Sequence, residues 1–94
     1  MPAFLRSLTA NSATSTFTTI NTNDPPGVIR SATINNGTAE FIVMRLKSDT
    51  NVSVQFGTGT FQLPRVNLGD LEVRAAGTNS ASVLVFAGNP EDPA

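Results

Sequence analysis

Apolar residues in this 94-residue chain recur at every second position in short runs, and each run is soon cut by Gly, Pro, Asn or Asp. Val52, Val54 and Phe56 alternate with Ser53 and Gln55, and Leu71, Val73 and Ala75 alternate with Glu72 and Arg74. A period of two sends successive side chains to opposite faces of a strand, so such runs read as strands with one face buried. The best stretch for a helix, Ala39 to Lys47, is richer in β-branched and aromatic residues than a helix prefers. Short strands with turn signals about every 8–12 residues predict an all-β fold, a small antiparallel β-sandwich or jelly-roll-like module. Parallel βαβ architectures are disfavoured because no amphipathic helix is available.

Residues 1–27 differ from the rest, being rich in Thr, Ser and Asn with isolated apolar anchors at Phe4, Leu5, Leu8, Phe17 and Ile20. They read as an extended N-terminal arm in which Ser15 to Ile20 can form a strand. Asn23-Asp24-Pro25-Pro26-Gly27 ends it, because proline lacks an N–H donor and glycine permits positive φ. Residues 28–88 read as the β-sandwich domain and 89–94 as a flexible C-terminal tail with two prolines and two acids. Within the domain, Val28 to Ile34 and Thr38 to Lys47 flank Asn35-Asn36-Gly37, and Asn-Gly is a strong signal for a type I′ hairpin. Phe41 and Val43 lie opposite Ile42, Met44 and Leu46, which makes that strand central or partly covered by a neighbour. Val52, Val54 and Phe56 predict one buried and one wet face. Pro64 demotes Phe61 to Leu63 to an edge or a strand end. The last strand, Ala81 to Ala87, places Leu84 and Phe86 opposite Ala81, Val83, Val85 and Ala87, and reads as well covered.

The chain contains no Cys, His, Trp or Tyr. It therefore lacks the side chain whose unperturbed charge change lies nearest neutral pH, the thiolate nucleophile and the soft metal ligand. Ser and Thr nucleophiles need an activating base, and Lys47 is the one lysine. Asp70 and Glu72 project to one face of a strand and Glu40 and Asp49 form another possible pair, but carbohydrate clefts usually add Trp or Tyr platforms. Gly57-Thr58-Gly59-Thr60 has neither the Lys nor the helix of a phosphate loop, and Asp70 reads as a turn cap. Asn36-Gly37-Thr38 and Asn51-Val52-Ser53 match the N-glycosylation pattern, which matters only in a glycosylating secretory pathway. These readings predict no enzyme, no cofactor and no metal.

Formal net charge is −1, and Arg6, Arg30, Arg45, Lys47, Arg65 and Arg74 are scattered rather than striped, which argues against a nucleic-acid partner. Met1 to Ala13 has too short an apolar run for a cleaved signal, and no stretch approaches the ~18 apolar residues that span a bilayer. A domain this small buries only roughly 60–65% of its unfolded surface, and without disulfide or zinc the remaining staple is association. Phe4, Leu5, Leu8 and Phe17 in the arm can dock on the chain's own sandwich or on a neighbour. Phe41, Val43, Leu84 and Phe86 can form either a second packed layer or a subunit interface.

Ile34-Asn35-Asn36-Gly37-Thr38 between two strands, Phe61-Gln62-Leu63-Pro64 before Gly69-Asp70-Leu71-Glu72-Val73-Arg74-Ala75, and the closing Ser82-Val83-Leu84-Val85-Phe86-Ala87-Gly88 carry a resemblance. In style this stretch, residues 28–88, resembles the small β-structured virion proteins of tailed bacteriophages. The resemblance implies a capsid decoration (cement) protein or a neck, tail or fibre accessory. It also implies a location in the virion after synthesis in the host cytoplasm, the major capsid protein or other virion proteins as partners, and a homo-oligomer, with a trimer the expected state. A carbohydrate-binding module and a small hydrolase using Asp70 and Glu72 are the readings from other classes.

Overall fold

The computed structural model describes residues 3–12 and 16–91, so parts of the expected arm and tail (1–2, 13–15 and 92–94) lie outside the described residues. Eight strands are described: β1 (Phe4–Ala10), β2 (Thr18–Thr19), β3 (Arg30–Asn36), β4 (Ile42–Leu46), β5 (Asp49–Phe56), β6 (Gly59–Val66), β7 (Leu71–Ala75) and β8 (Ala81–Ala87). They form two four-stranded antiparallel sheets, ordered β1-β8-β3-β6 and β2-β7-β4-β5, packed as a sandwich. The predicted all-β fold is the observed one, and the described residues contain no helix.

Alternation supplies the core directly. Leu8 and Ala10 of β1, Ala32 and Ile34 of β3, Ile42 and Met44 of β4, Val73 of β7, and Val83 and Val85 of β8 all point between the sheets and are buried. Medium and small aliphatics fill this space. None of the six Phe residues is buried in it, so the bulkiest apolar side chains all lie at the margins or outside. As predicted, β4 is an interior strand and β6, with Pro64, is an edge.

Asn35-Asn36-Gly37 does not close the predicted hairpin. β3 pairs with β6 and β8, whereas β4 pairs with β5 and β7, so the chain after Asn36 crosses from one sheet to the other. A type I′ turn needs positive φ at both central residues. Here only Gly27 (φ 92°) and Gly59 (φ 140°) among the described residues take it. Asn36 is instead fully buried as the anchor of a sheet-to-sheet corner. Its Nδ2 donates to the carbonyls of Glu40 (2.8 Å) and Gly57 (3.2 Å). Its Oδ1 accepts from the Thr38 N–H (3.2 Å) and hydroxyl (2.8 Å). One amide thereby bonds backbone groups at two crossings, β3 to β4 and β5 to β6, where the chain leaves the ladders of both sheets.

The stretch expected as an arm supplies the edges of both sheets. β1 pairs with β8 from Phe4↔Ala87 to Ala10↔Ala81, and β2 pairs with β7 over Thr18 and Thr19. The following Asp24-Pro25-Pro26-Gly27 loop is held by a buried ion pair. Arg30 donates through Nε (2.8 Å) and Nη2 (3.0 Å) to the two Asp24 carboxylate oxygens, and through Nη1 (3.0 Å) to the Gly88 carbonyl. Both charged side chains are 2% exposed. Such a pair is costly to desolvate, and its two-pronged geometry with a third bond offsets that cost. Gly69 completes the clamp, because the Asp24 carbonyl occupies the place where a side chain at 69 would begin.

Candidate interaction surfaces

The two outer faces of the sandwich differ in chemistry. On the β1-β8-β3-β6 sheet, pairing register aligns one row Leu5–Phe86–Thr33–Gln62 and a second row Ser7–Leu84–Asn35–Thr60, with Thr9 opposite Ser82 beyond them. No residue of these rows is charged. Leu5 is 62% and Phe86 53% exposed, directly opposite each other, and Leu84 sits half-buried in the next row. Asn35 donates to the Thr60 hydroxyl at 3.0 Å, so part of the polar flank is already ordered. At one end of the sheet lies the exposed pair Arg65–Glu91 (3.0 Å). Glu91, by hydrogen bond and then by charge, holds the Arg65 guanidinium pKa above its ordinary value.

On the β2-β7-β4-β5 sheet the outward residues include Glu72, Arg74, Val43, Arg45, Ser53 and Gln55. Phe17 lies beneath two guanidinium groups, with Arg45 3.9 Å and Arg74 4.8 Å from the ring centre. Arg45 also donates to Glu72 at 2.6 Å. Cation–π contact and ion pairing thus knit this face to itself.

The predicted interface residues therefore separate. Leu5, Leu84 and Phe86 are brought together on the uncharged face. Phe17 and Val43 lie on the charged face, Phe17 packed under arginines. Phe41, half exposed, lies against Gly57 at the end of the sandwich, where its carbonyl accepts from the Ala76 N–H (2.8 Å). Phe4 packs at the core margin, and Leu8 is buried in the core, docked on the chain's own sandwich. The candidate carboxylates are engaged separately: Asp70 accepts from the Ser48 N–H (2.9 Å) and hydroxyl (2.5 Å), and Glu72 from Arg45. Among the described residues no group of three or more acidic, His or Cys side chains could hold a metal ion, and no helix is long and apolar enough to cross a membrane.

One apolar surface was not foreseen. Val52 and Val54 point to the core side of β5, yet they are 59% and 49% exposed, which overturns the expectation of a buried face. β5 and β6 are edge strands of opposite sheets, and the sandwich gapes between them. The gap is a cavity of about 240 Å³ with an open mouth, walled chiefly by Met44, Leu46, Val52, Val54, Phe56, Leu63 and Leu71. The available signal was indirect: Pro64 and Arg65 interrupt β6, leaving Phe61 and Leu63 as its main apolar residues to cover the equally long β5. No protein-family model matches the sequence, and no curated protein matches it either.

Proposed function

We infer that this chain is a non-enzymatic structural protein that lies flat on a larger protein assembly through the outer face of the β1-β8-β3-β6 sheet, in the role of a capsid decoration (cement) protein. The observation that supports this reading is the segregation of charge between the two outer faces. Protein interfaces are depleted of charge at their centre and enriched in aromatic anchors, since desolvating an ion costs more than desolvating an amide or hydroxyl. Leu5, Leu84 and Phe86 supply the anchor, and the surrounding Ser, Thr, Asn and Gln can exchange water for hydrogen bonds across a contact. A protein bound to the assembled lattice stabilises that state by mass action.

The test is binding to capsids, stripped of this protein, from the virus that encodes it. Leu5→Asp and Phe86→Asp change exposed positions and should leave folding intact while lowering occupancy roughly thirtyfold or more, as loss of an anchor worth about 2 kcal/mol does. Unchanged occupancy in both variants refutes the docking face. Binding to tail or neck fractions instead of capsids moves the protein to an accessory position. Deleting residues 1–14 does not serve, because it removes β1 and with it Leu8 and Ala10 from the core.

A further inference from the structure

Asn36-Gly37 forms a corner rather than a hairpin turn, and the same dipeptide carries a chemistry that the corner suppresses. Of the nine asparagines, Asn36 is the one followed by Gly. With no Cβ on residue 37, an open chain lets the Gly37 amide nitrogen reach the Asn36 side-chain carbon freely. The nitrogen bonds to Cγ and gives up its proton to Nδ2, which leaves as ammonia, and a cyclic imide remains. Water then opens the ring at either carbonyl, giving aspartate or isoaspartate.

In the folded chain each partner in that step is held elsewhere. Asn36 closes β3, paired with Gly59 and Val83, and the extended backbone of a strand turns the following nitrogen away from the side chain. The Gly37 N–H donates instead to the Ser82 carbonyl at 3.3 Å. The leaving group is pinned as well, since Nδ2 donates to the Glu40 and Gly57 carbonyls. The Thr38 N–H and hydroxyl at Oδ1 polarise Cγ in the direction the reaction needs, but with the nucleophile turned away that polarisation has nothing to act on. Full burial of Asn36 also keeps out the water that would open an imide.

We propose that Asn36-Gly37 is a modification site concealed by the fold: it deamidates only when the corner opens, and the product bars the chain from refolding. An aspartate at 36 offers only acceptors to the Glu40 and Gly57 carbonyls and carries a charge into a fully buried position. Isoaspartate routes the backbone through the side-chain carbon and lengthens the crossing from β3 to β4 by a methylene. Either product turns a reversible opening into an irreversible one. The site therefore acts as a chemical ratchet that retires molecules which have unfolded, and it does so whatever surface the chain docks on.

The test ages the full chain in buffer and in urea at one pH and temperature, with peptide mass spectrometry that resolves aspartate from isoaspartate. Asn36 should convert in urea and roughly 100-fold or more slowly in buffer, where the rate follows the population of the open form. Asn79-Ser80, exposed between β7 and β8, is the internal control and should age at similar rates in both. On dilution from urea, the share of chains that regain the native circular-dichroism spectrum should fall in step with Asn36 conversion. Gly37→Ala separates this chemistry from other damage in urea. A Cβ there meets only the Asn35 Oδ1 at 3.5 Å, and Gly37 is not among the positive-φ glycines, so the variant should fold, resist conversion in urea and keep its refolding yield. Conversion of Asn36 no faster in urea than in buffer overturns the proposal. So do converted chains that refold as fully as the rest, or a loss of refolding that Gly37→Ala does not prevent.

Discussion

The two long sides of the sandwich close in different ways. On the β1/β2 side, Leu8, Ala10 and Ile20 are buried, and Arg6 reaches across to two carbonyls of the opposite sheet's edge. Asn11 adds its Nδ2 to the Thr18 hydroxyl (3.2 Å) and its carbonyl to the Ala75 N–H (2.6 Å). On the β5/β6 side, Phe56 and Phe61 meet at one end with ring centres 4.2 Å apart, while Leu46, Val52 and Val54 remain exposed. Polar side chains thus seal a seam where the edges come within hydrogen-bonding reach. Where the covering strand is interrupted, apolar residues on the inner side of a strand are left uncovered.

The sharpest way to break the closed side is through the loop that follows β2. Asp24→Ala leaves the Arg30 guanidinium buried beside only part of its partners, and should cost about 3–5 kcal/mol in denaturant unfolding. Next comes a matched pair of truncations. Leu8→Ala on the sealed side should cost about 2–5 kcal/mol, and Val54→Ala on the open side less than about 0.5 kcal/mol in the single copy. Comparable losses at the two positions would show that the open side is covered in solution. The smallest of the three losses on the sealed side is expected for Arg6→Ala, about 1–3 kcal/mol from two backbone carbonyls deprived of their donor. Melting temperatures measured at low protein concentration, below any self-association, check all four variants.

Several elements were legible in the sequence because they depend on local periodicity. β7 and β8 run over the residues that alternation marked, β4 is interior as its two-sided apolar pattern required, and Pro64 lies in an edge strand. The Asn-Gly signal failed because a hairpin competes with every other pairing open to its strands. Both β3 and β4 gain two partners each by parting, and Asn36 supplies the corner with four hydrogen bonds. Of the candidate interface residues, the sequence could place Leu84 and Phe86 on one face of one strand. It could not place Leu5 beside Phe86, since that depends on β1 pairing with β8 across most of the chain's length.

Period two and the positions of Gly and Pro thus determined, by themselves, that this chain makes short strands and which side chains share a face, because those properties reside in the backbone geometry of a few consecutive residues. Tertiary structure decided which strands are neighbours and which apolar faces are covered. The same alternation that buries Val73, Val83 and Val85 leaves Val52 and Val54 open to solvent. The difference lies in what the opposite sheet places across the gap, and that is set by residues far away in the sequence.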